Sequence, residues 1–312
     1  MTKKKAAGIS ILSNAGLTAG KLVIGILSGS VAIIAEAAHS GMDLLASCIA
    51  YYAVAVSDKP ADVDHRYGHG KYENLSGLAE ALLIFLAAGW IIHEAIQKFL
   101  EPSPPGMVLL GTGVMFVSAT ANWLVSRMLF RVGKETESLA LVADAWHLKT
   151  DVYTSAGVMT SLALYYAGTK LLPGANLLWL DPLAAIAVAL LILKAAWNLS
   201  AEAMRDLLDE SLPPQEEALI RDRLLELRPL LYSFKNLRTR KAGKTRFVDL
   251  EAMMPPDISV KTSHDIADAI SAKLREAFPD AVVVVHVEPC EERCTEDCLQ
   301  NCISKTAPAA AE

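Results

Sequence analysis

Two short segments of this chain share one arrangement of ionisable residues. In each, an acid is followed three positions later by histidine and four positions after that by aspartate: Glu36, His39 and Asp43, then Asp144, His147 and Asp151. On an α-helix these spacings place the three side chains on one face. Two such helices, each supplying one imidazole and one aspartate, could offer four ligands to a single divalent metal ion.

Both segments lie in long apolar stretches, where ionisable groups are costly to bury and mark a pathway or a binding site. A set of two imidazoles and two carboxylates fits Zn²⁺ and tolerates Co²⁺ or Cd²⁺, whereas an all-oxygen set would favour Mn²⁺ or Mg²⁺. Glu36 and Asp144 lie one turn from the four candidate ligands, so we expect them to support those ligands or to carry protons. The alternative is that these polar groups only join helices by hydrogen bonds. Repetition of the pattern at matched spacing argues against it.

Hydrophobic residues make up 53% of the 312 residues, more than in an average soluble protein. They are concentrated before about residue 208, which predicts a membrane domain over residues 1–208. Six apolar segments approach the roughly 20 residues that a bilayer requires. We therefore predict six transmembrane helices, at about residues 8–27, 31–56, 78–99, 108–129, 139–164 and 177–199.

Lysine and arginine are concentrated before the first span and in the loops after the second and fourth spans. By the positive-inside rule, both termini then face the cytoplasm. The second and fifth spans would be antiparallel, with each His–Asp pair near the middle of its span. The two pairs could therefore meet at one depth.

The polar part of the chain, residues 209–290, alternates helix and strand patterns. Pro213 and Pro214 precede a helix pattern over 216–227, and strand patterns follow at 234–240 and 246–253. A helix beginning at Ser263 runs to Phe278, and a β-branched strand covers 281–287. The order α-β-β-α-β predicts a small α+β domain with its helices on one face of a sheet.

Residues 291–312 are predicted to form a flexible tail. Four cysteines in and just before this tail fall at every fourth position, so a helix would place them along one stripe: Cys290, Cys294, Cys298 and Cys302. Cytoplasmic thiols should stay reduced, which argues against disulfides. The open interpretations are capture of a soft metal, a thiolate site between subunits, or an appendix with no role.

A second cluster, in the loop between the second and third predicted spans, contains Asp62, His65 and His69. Spacings of three and four make the three residues a compact metal-ligand candidate at the cytoplasmic edge of the membrane. The alternative is a polar loop that is simply solvated.

The order of these motifs resembles the cation diffusion facilitator family, in particular its bacterial zinc and iron efflux members. The matching residues are 35–43, 60–71, 144–151, 207–209, 237–247 and 286–289, and the likeness extends over nearly the whole chain to about residue 290. The resemblance implies a homodimeric metal/proton antiporter in a bacterial inner membrane. It also implies six transmembrane helices followed by a metallochaperone-like cytoplasmic domain.

The resemblance further assigns roles to individual residues. It implies transport-metal ligands at His39, Asp43, His147 and Asp151, and a second zinc site at Asp62, His65 and His69. Some bacterial members have Asp at the first transport position, and His there is the pattern associated with zinc. Lys71 and Asp209 match a salt bridge that joins the membrane spans to the tail domain; their alternative is an incidental surface pair.

The tail domain departs from the family pattern. Lys235 and Glu251 stand where two ligand histidines are expected, and a protonated lysine cannot bind a metal. At most one tail-domain metal is then expected, at Glu251, His264, His286 and Glu288.

Taken together, the sequence predicts an exporter of Zn²⁺, and of Cd²⁺ or Co²⁺, in exchange for protons. Zn²⁺ would be both the substrate and a structural or regulatory ion. One alternative is an Fe²⁺ or Mn²⁺ exporter of the same family, and another is a non-transporting metal sensor or membrane scaffold. We predict no enzyme activity, because the chain has no His-Glu-x-x-His sequence, and no nucleic-acid partner.

Overall fold

The computed structural model describes residues 1–28, 31–101, 109–171, 179–290 and 296–302. The chain divides into two compact units, Met1–Met204 and Arg205–Glu312. The first is helical and the second combines helices with a sheet. The predicted fold class, a helical membrane domain followed by a small α+β domain, is confirmed.

The membrane unit consists of long helices: α1 Lys3–Ser28, α2 Val31–Ser57, α3 Lys71–Leu100, α4 Leu109–Glu135, α5 Leu139–Leu171 and α6 Leu180–Leu207. Within the described residues, all of these except α5 contain a stretch long and apolar enough to cross a membrane. The first half of α5 carries Asp144, Lys149 and Asp151, which lower its apolar character. The charged residues of this motif thus lower the hydropathy of the helix that carries it.

Helix α5 is the structural centre of the membrane unit because it takes part in two apolar clusters. Its Leu141 and Leu148 pack with residues of α1, α2 and α4, including Val54. Its Ala143 packs with residues of α3 and α6, such as Ile192. Many of the buried positions in both clusters are alanine, and small residues let transmembrane helices approach closely.

The tail unit contains α7 Pro214–Leu225, β1 Ser233–Ala242, β2 Thr245–Met254, α8 Val260–Ala277 and β3 Val282–Pro289. The sheet order is β1-β2-β3, with β1 antiparallel and β3 parallel to β2. Apolar side chains of both helices pack with the sheet in one core that includes Leu224, Phe234, Leu250, Ile270 and Leu274. The predicted α-β-β-α-β order is confirmed.

The start of α8 differs from the prediction. Ser259 has an extended backbone, and its Oγ accepts a hydrogen bond from the Thr262 backbone N–H at 3.1 Å. This makes Ser259 the N-cap. Ser263 instead lies inside the helix, where its Oγ donates to the Val260 carbonyl.

Residues 296–302, which we expected in a flexible tail, are held against β1. They contain the short helix α9 Glu296–Gln300, and both Cys298 and Cys302 are buried. Ser233 Oγ donates to the Cys298 carbonyl at 2.7 Å, and Asn301 Nδ2 donates to the Phe234 carbonyl at 3.3 Å.

Among the described cysteines of this region, Cys290, Cys298 and Cys302 do not lie on one helix. The Cys290 backbone N–H donates to the Met254 carbonyl of β2, so this residue continues the pairing between β2 and β3. Cys302 follows the end of α9. The prediction for Cys294 falls outside the described residues.

Candidate metal centre

The two His–Asp motifs come together between α2 and α5, with each histidine beside the aspartate of the other helix. His147 Nε2 lies 3.1 Å from Asp43 Oδ1. His39 Nε2 lies 3.9 Å from Asp151 Oδ1. One ligating atom from each of His39, Asp43 and Asp151 falls within 4.8 Å of the others.

These separations suit atoms that share one small cation. Ligands about 2.0 Å from a tetrahedral zinc ion are about 3.3 Å from one another. The distance between His147 Nε2 and Asp43 Oδ1 is slightly shorter than this ligand-to-ligand distance. The distance between His39 Nε2 and Asp151 Oδ1 is slightly longer. The group of three contains no atom of His147, so side chains must move before all four residues can surround one ion in a tetrahedral N₂O₂ set.

The cluster is closed on one side and open on the other. Asp43 and His147 are 4% and 8% exposed, whereas the His39 side chain is 56% exposed. Asp151 is half-buried. An ion could therefore reach the buried pair past His39.

Hydrogen-bond partners on α1 and α4 hold the two aspartates, and the sequence analysis missed these partners. Asn122 Nδ2 donates to Asp151 Oδ2 at 3.2 Å, which leaves Oδ1 facing His39. Asn14 Nδ2 lies 3.5 Å from the Asp43 carbonyl oxygen. Lone asparagines in otherwise apolar spans were the signal that could have identified them.

A buried lysine also lies beside the cluster. Lys21 Nζ donates to Ser40 Oγ at 2.7 Å, and Ser40 is the neighbour of His39 in sequence. The cluster therefore has a lysine side chain beside its acceptors for a cation.

Asp144, one turn before His147, is not part of this group of ligand atoms. Asp144 is fully buried, and its Oδ1 accepts from Ser47 Oγ at 2.9 Å. Ser47 Oγ also accepts from Asn14 Nδ2 at 2.8 Å, which links Asp144 to the helix that supports Asp43. The side chain of Glu36 lies outside the described residues. A supporting or proton-carrying role for either acid stays a prediction.

The loop between α2 and α3 brings its three predicted ligands together. Asp62 contacts His65 Nδ1 at 3.4 Å through one oxygen and His69 Nε2 at 3.3 Å through the other. Backbone N–H groups of His65 and Asp64 donate to Asp62 Oδ1, and the His65 hydrogen bond is the main reason why the pKa of this carboxyl is lowered. The ligand atoms of the trio lie within 4.8 Å of one another, as they would around one ion.

In the tail unit, a lysine lies among the predicted metal ligands. Lys235, Glu251 and His286 occupy matched positions across β1, β2 and β3. Lys235 Nζ is 2.7 Å from Glu288 Oε2 and 3.3 Å from Glu251 Oε2, so its ammonium group bridges the two carboxylates. The bond to Glu288 is the main cause of the raised pKa of Lys235. A hydrogen bond from Asn236 is the main cause of the lowered pKa of Glu251.

The tail-domain metal stays a prediction, and the contacts of Lys235 lead us to expect none. His264, on α8, pairs with Asp268 at 3.5 Å and is well exposed. Among the described residues, no three of Glu251, His264, His286 and Glu288 form a group of the kind seen at the two other sites. The physical reason is the ammonium group, which already neutralises Glu251 and Glu288 and has no lone pair to offer a metal.

Lys71 and Asp209 belong to different units, and their salt bridge stays a prediction. Within its own unit, Asp209 Oδ1 lies 3.4 Å from Arg240 Nη1.

Comparison with known proteins matches almost the whole chain to one family. Residues 7–208 match the cation efflux transmembrane domain, and residues 212–290 match the cytoplasmic domain of cation efflux proteins. The cation-efflux pump FieF of Shewanella oneidensis is 32% identical over 92% of this chain and 94% of its own length. The uncharacterized transporter sll1263 of Synechocystis sp. is 33% identical over 94% of this chain and 93% of its own length.

A solved structure, the metal-bound C-terminal domain of the CzcD transporter from Thermotoga maritima, is similar to part of the chain. It is 23% identical and covers 26% of this chain and 96% of that chain, with a TM-score of 0.24. The family matches cover both units described above. This chain is a member of the cation efflux family, the cation diffusion facilitators, and an integral membrane protein.

Proposed function

We propose that this chain works as a homodimer in the bacterial inner membrane and exports Zn²⁺ from the cytoplasm in exchange for protons. The observation that carries the proposal is that ligating atoms of His39, Asp43 and Asp151 lie within 4.8 Å of one another, with His147 Nε2 3.1 Å from Asp43 Oδ1. Mixed nitrogen and oxygen ligands favour Zn²⁺ over the hard cations that prefer oxygen alone.

Proton exchange follows from the chemistry of these ligands. Zn²⁺ binds neutral imidazole and ionised carboxylate, so its binding displaces protons from the cluster. In the metal-free protein, a proton on His147 Nε2 would be shared with Asp43 Oδ1, 3.1 Å away. Zn²⁺ and protons therefore compete for the same atoms. Protons arriving from the more acidic side would then expel the metal.

Alternate access to the cluster would come from rocking of the helices around it, as in other secondary transporters. His39 is well exposed and the Asp43–His147 pair is buried, so a small change around α2 would alter which side reaches the ligands. We assign Asp62, His65 and His69 a regulatory role, because this trio is outside the helices and far more exposed at Asp62 and His65. Lys71 and Asp209 would couple the tail domain to the spans.

The test is Zn²⁺ flux into proteoliposomes with and without a pH gradient, for the wild type and Asp151→Ala. We expect flux driven by the gradient in the wild type and none in the variant. Glu202→Ala is the matched control, since it removes an exposed carboxylate from α6 and should leave the flux unchanged. Folded wild-type protein that binds Zn²⁺ but moves none under any gradient would favour a metal sensor or scaffold. Flux of Fe²⁺ or Mn²⁺ that micromolar Zn²⁺ does not inhibit would favour a different cargo.

A further inference from the structure

Helix α3 carries a buried carboxyl group for which the proposed transport site has no use. Glu80 is fully buried, and neither of its carboxyl oxygens has a hydrogen-bond partner among the described residues. The neighbouring residues Ala81 and Ile84 pack against α5 and α6. One turn earlier, a Cβ added at Gly77 would lie 3.1 Å from Leu139 Cγ, which shows how closely α3 approaches α5. An ionised carboxylate without donors is strongly disfavoured in such surroundings.

Asp144 of α5 lies near Glu80: its neighbour Ala143 packs in the same apolar cluster as Ala81, and a Cβ added at Gly77 would lie 4.0 Å from Ala143 Cβ. The charges of the two carboxyl groups therefore interact. Asp144 is also fully buried, and its Oδ2 has no partner in the described part of the chain. From α2 and α6, which also pack near α3, no described titratable group acts on Glu80. Without a metal ion nearby, two like charges this deeply buried cannot both persist, so one of the two carboxyls must hold a proton.

The two members of the pair differ in their remaining contacts. Asp144 Oδ1 accepts a hydrogen bond from Ser47 Oγ at 2.9 Å. Glu80 has no comparable donor among the described residues. Asp144 is therefore the better placed to be ionised, and Glu80 the better placed to carry the proton.

We propose that Glu80 and Asp144 form a proton-binding pair that holds one proton in the metal-free protein and releases it when Zn²⁺ binds between α2 and α5. The inference rests on the proposed transport function and adds a proton site separate from the metal ligands. Asp144 is one helical turn from His147, so the charge of a bound Zn²⁺ acts at short range on the pair and favours its doubly ionised form. The O–H bond of Glu80 breaks, its electron pair stays on the carboxylate, and the proton passes to solvent.

The test counts the protons released per Zn²⁺ bound by the full chain in lipid nanodiscs. Calorimetric titration with Zn²⁺ in two buffers of different ionisation enthalpy gives this number at constant pH. Glu80→Gln should bind Zn²⁺ and release about one proton fewer than the wild type. Asp144→Asn should lose the same proton, and the double variant should lose no more than either single variant. Glu94→Gln, which changes an exposed glutamate on the same helix, should release as many protons as the wild type.

An unchanged proton count in Glu80→Gln would overturn the proposal. If that variant does not fold, infrared difference spectra of the wild type decide, because metal-free protein should show a protonated carboxyl band that disappears with Zn²⁺. Absence of that band overturns the proposal as well. Failure of the transport proposal looks different, since the wild type would then bind no Zn²⁺ or show no flux in proteoliposomes.

Discussion

The membrane cluster and the tail cluster each place two carboxylates beside histidine, but they neutralise the carboxylates differently. In the membrane unit, Asp43 faces the imidazole of His147 and Asp151 faces His39. In the tail unit, Glu251 and Glu288 share the ammonium group of Lys235. An imidazole can give up its proton near neutral pH and then bind a metal, whereas a lysine in an ion pair stays charged and binds none. We therefore predict that similar carboxylate pairs form an exchangeable cation site in one region and a permanent ion pair in the other.

The membrane cluster is also more deeply buried than the tail cluster, which increases the difference in how the two neutralise charge. Asp43 and His147 are almost completely buried, so any net charge there is costly and must be compensated by a proton or a metal ion. The tail cluster lies nearer to solvent, and exposed ion pairs contribute only about 0–1 kcal/mol to stability. We expect large functional effects from changes in the membrane cluster and small structural effects from changes in the tail cluster.

The largest expected effect is that of His147→Ala on transport. This change removes one of four ligands and leaves Asp43 without its partner, so Zn²⁺ flux should fall by more than about 100-fold. Changes to groups that only orient a ligand already cost about 10–100-fold. The measurement is the initial rate of Zn²⁺ uptake into proteoliposomes under a pH gradient.

His65→Ala is the companion variant, because it removes a histidine from the exposed loop trio. It should raise the Zn²⁺ concentration for half-maximal flux by about tenfold and leave the maximal rate unchanged. His264→Ala, in the tail unit, should change neither quantity. Equal loss of flux in His147→Ala and His65→Ala would show that the two sites do not have separate tasks.

An intermediate effect, on metal content, is expected when the ammonium group of Lys235 in the tail cluster is replaced by an imidazole. Lys235→His should create a site with Glu251, His286 and Glu288, so the variant should bind one more Zn²⁺ per chain than the wild type. Zn²⁺ at about 100 times the dissociation constant should then stabilise the tail unit by about 2.7 kcal/mol. Metal content by mass spectrometry, with thermal unfolding as a second measurement, tests this.

Lys244→His is the matched control, since Lys244 pairs with the single carboxylate of Asp280 at 3.0 Å. It should gain no Zn²⁺. If the wild type already retains a tail-domain zinc ion that Glu288→Ala removes, the ammonium group does not replace a metal there.

Much of this arrangement could be predicted from the sequence because it depends on local periodicity. Helical spacing places His39 and Asp43 on one face whatever the helix packs against, and a run of β-branched residues predicts β3 in the same way. Matched spacing in two spans then predicts that the faces meet.

The remainder depends on contacts between distant residues. Asn122 supports Asp151 only because α4 turns that face towards α5, which the sequence does not specify. Likewise, Lys235 bridges two glutamates only because strand register aligns it with Glu251. The helix start at Ser259 was missed for a local reason: Ser259 and Ser263 are both good N-caps, and the extended backbone at Ser259 decides between them.

The smallest expected effect is that of Lys235→Met, which removes the ammonium group without offering a ligand. The tail unit should lose up to about 1 kcal/mol of stability near pH 7, because Glu251 and Glu288 then repel each other with no cation between them. The pKa of Glu251 is lowered in the folded protein, so its contribution to stability is present above its unfolded pKa of about 4.3 and is lost as pH falls through the lower folded value. The difference between variant and wild type should therefore vanish on acidification. Hydrogen exchange of β1 and β2 in the full chain measures it, and a difference that persisted in acid would point to lost packing of the lysine stem instead of lost charge.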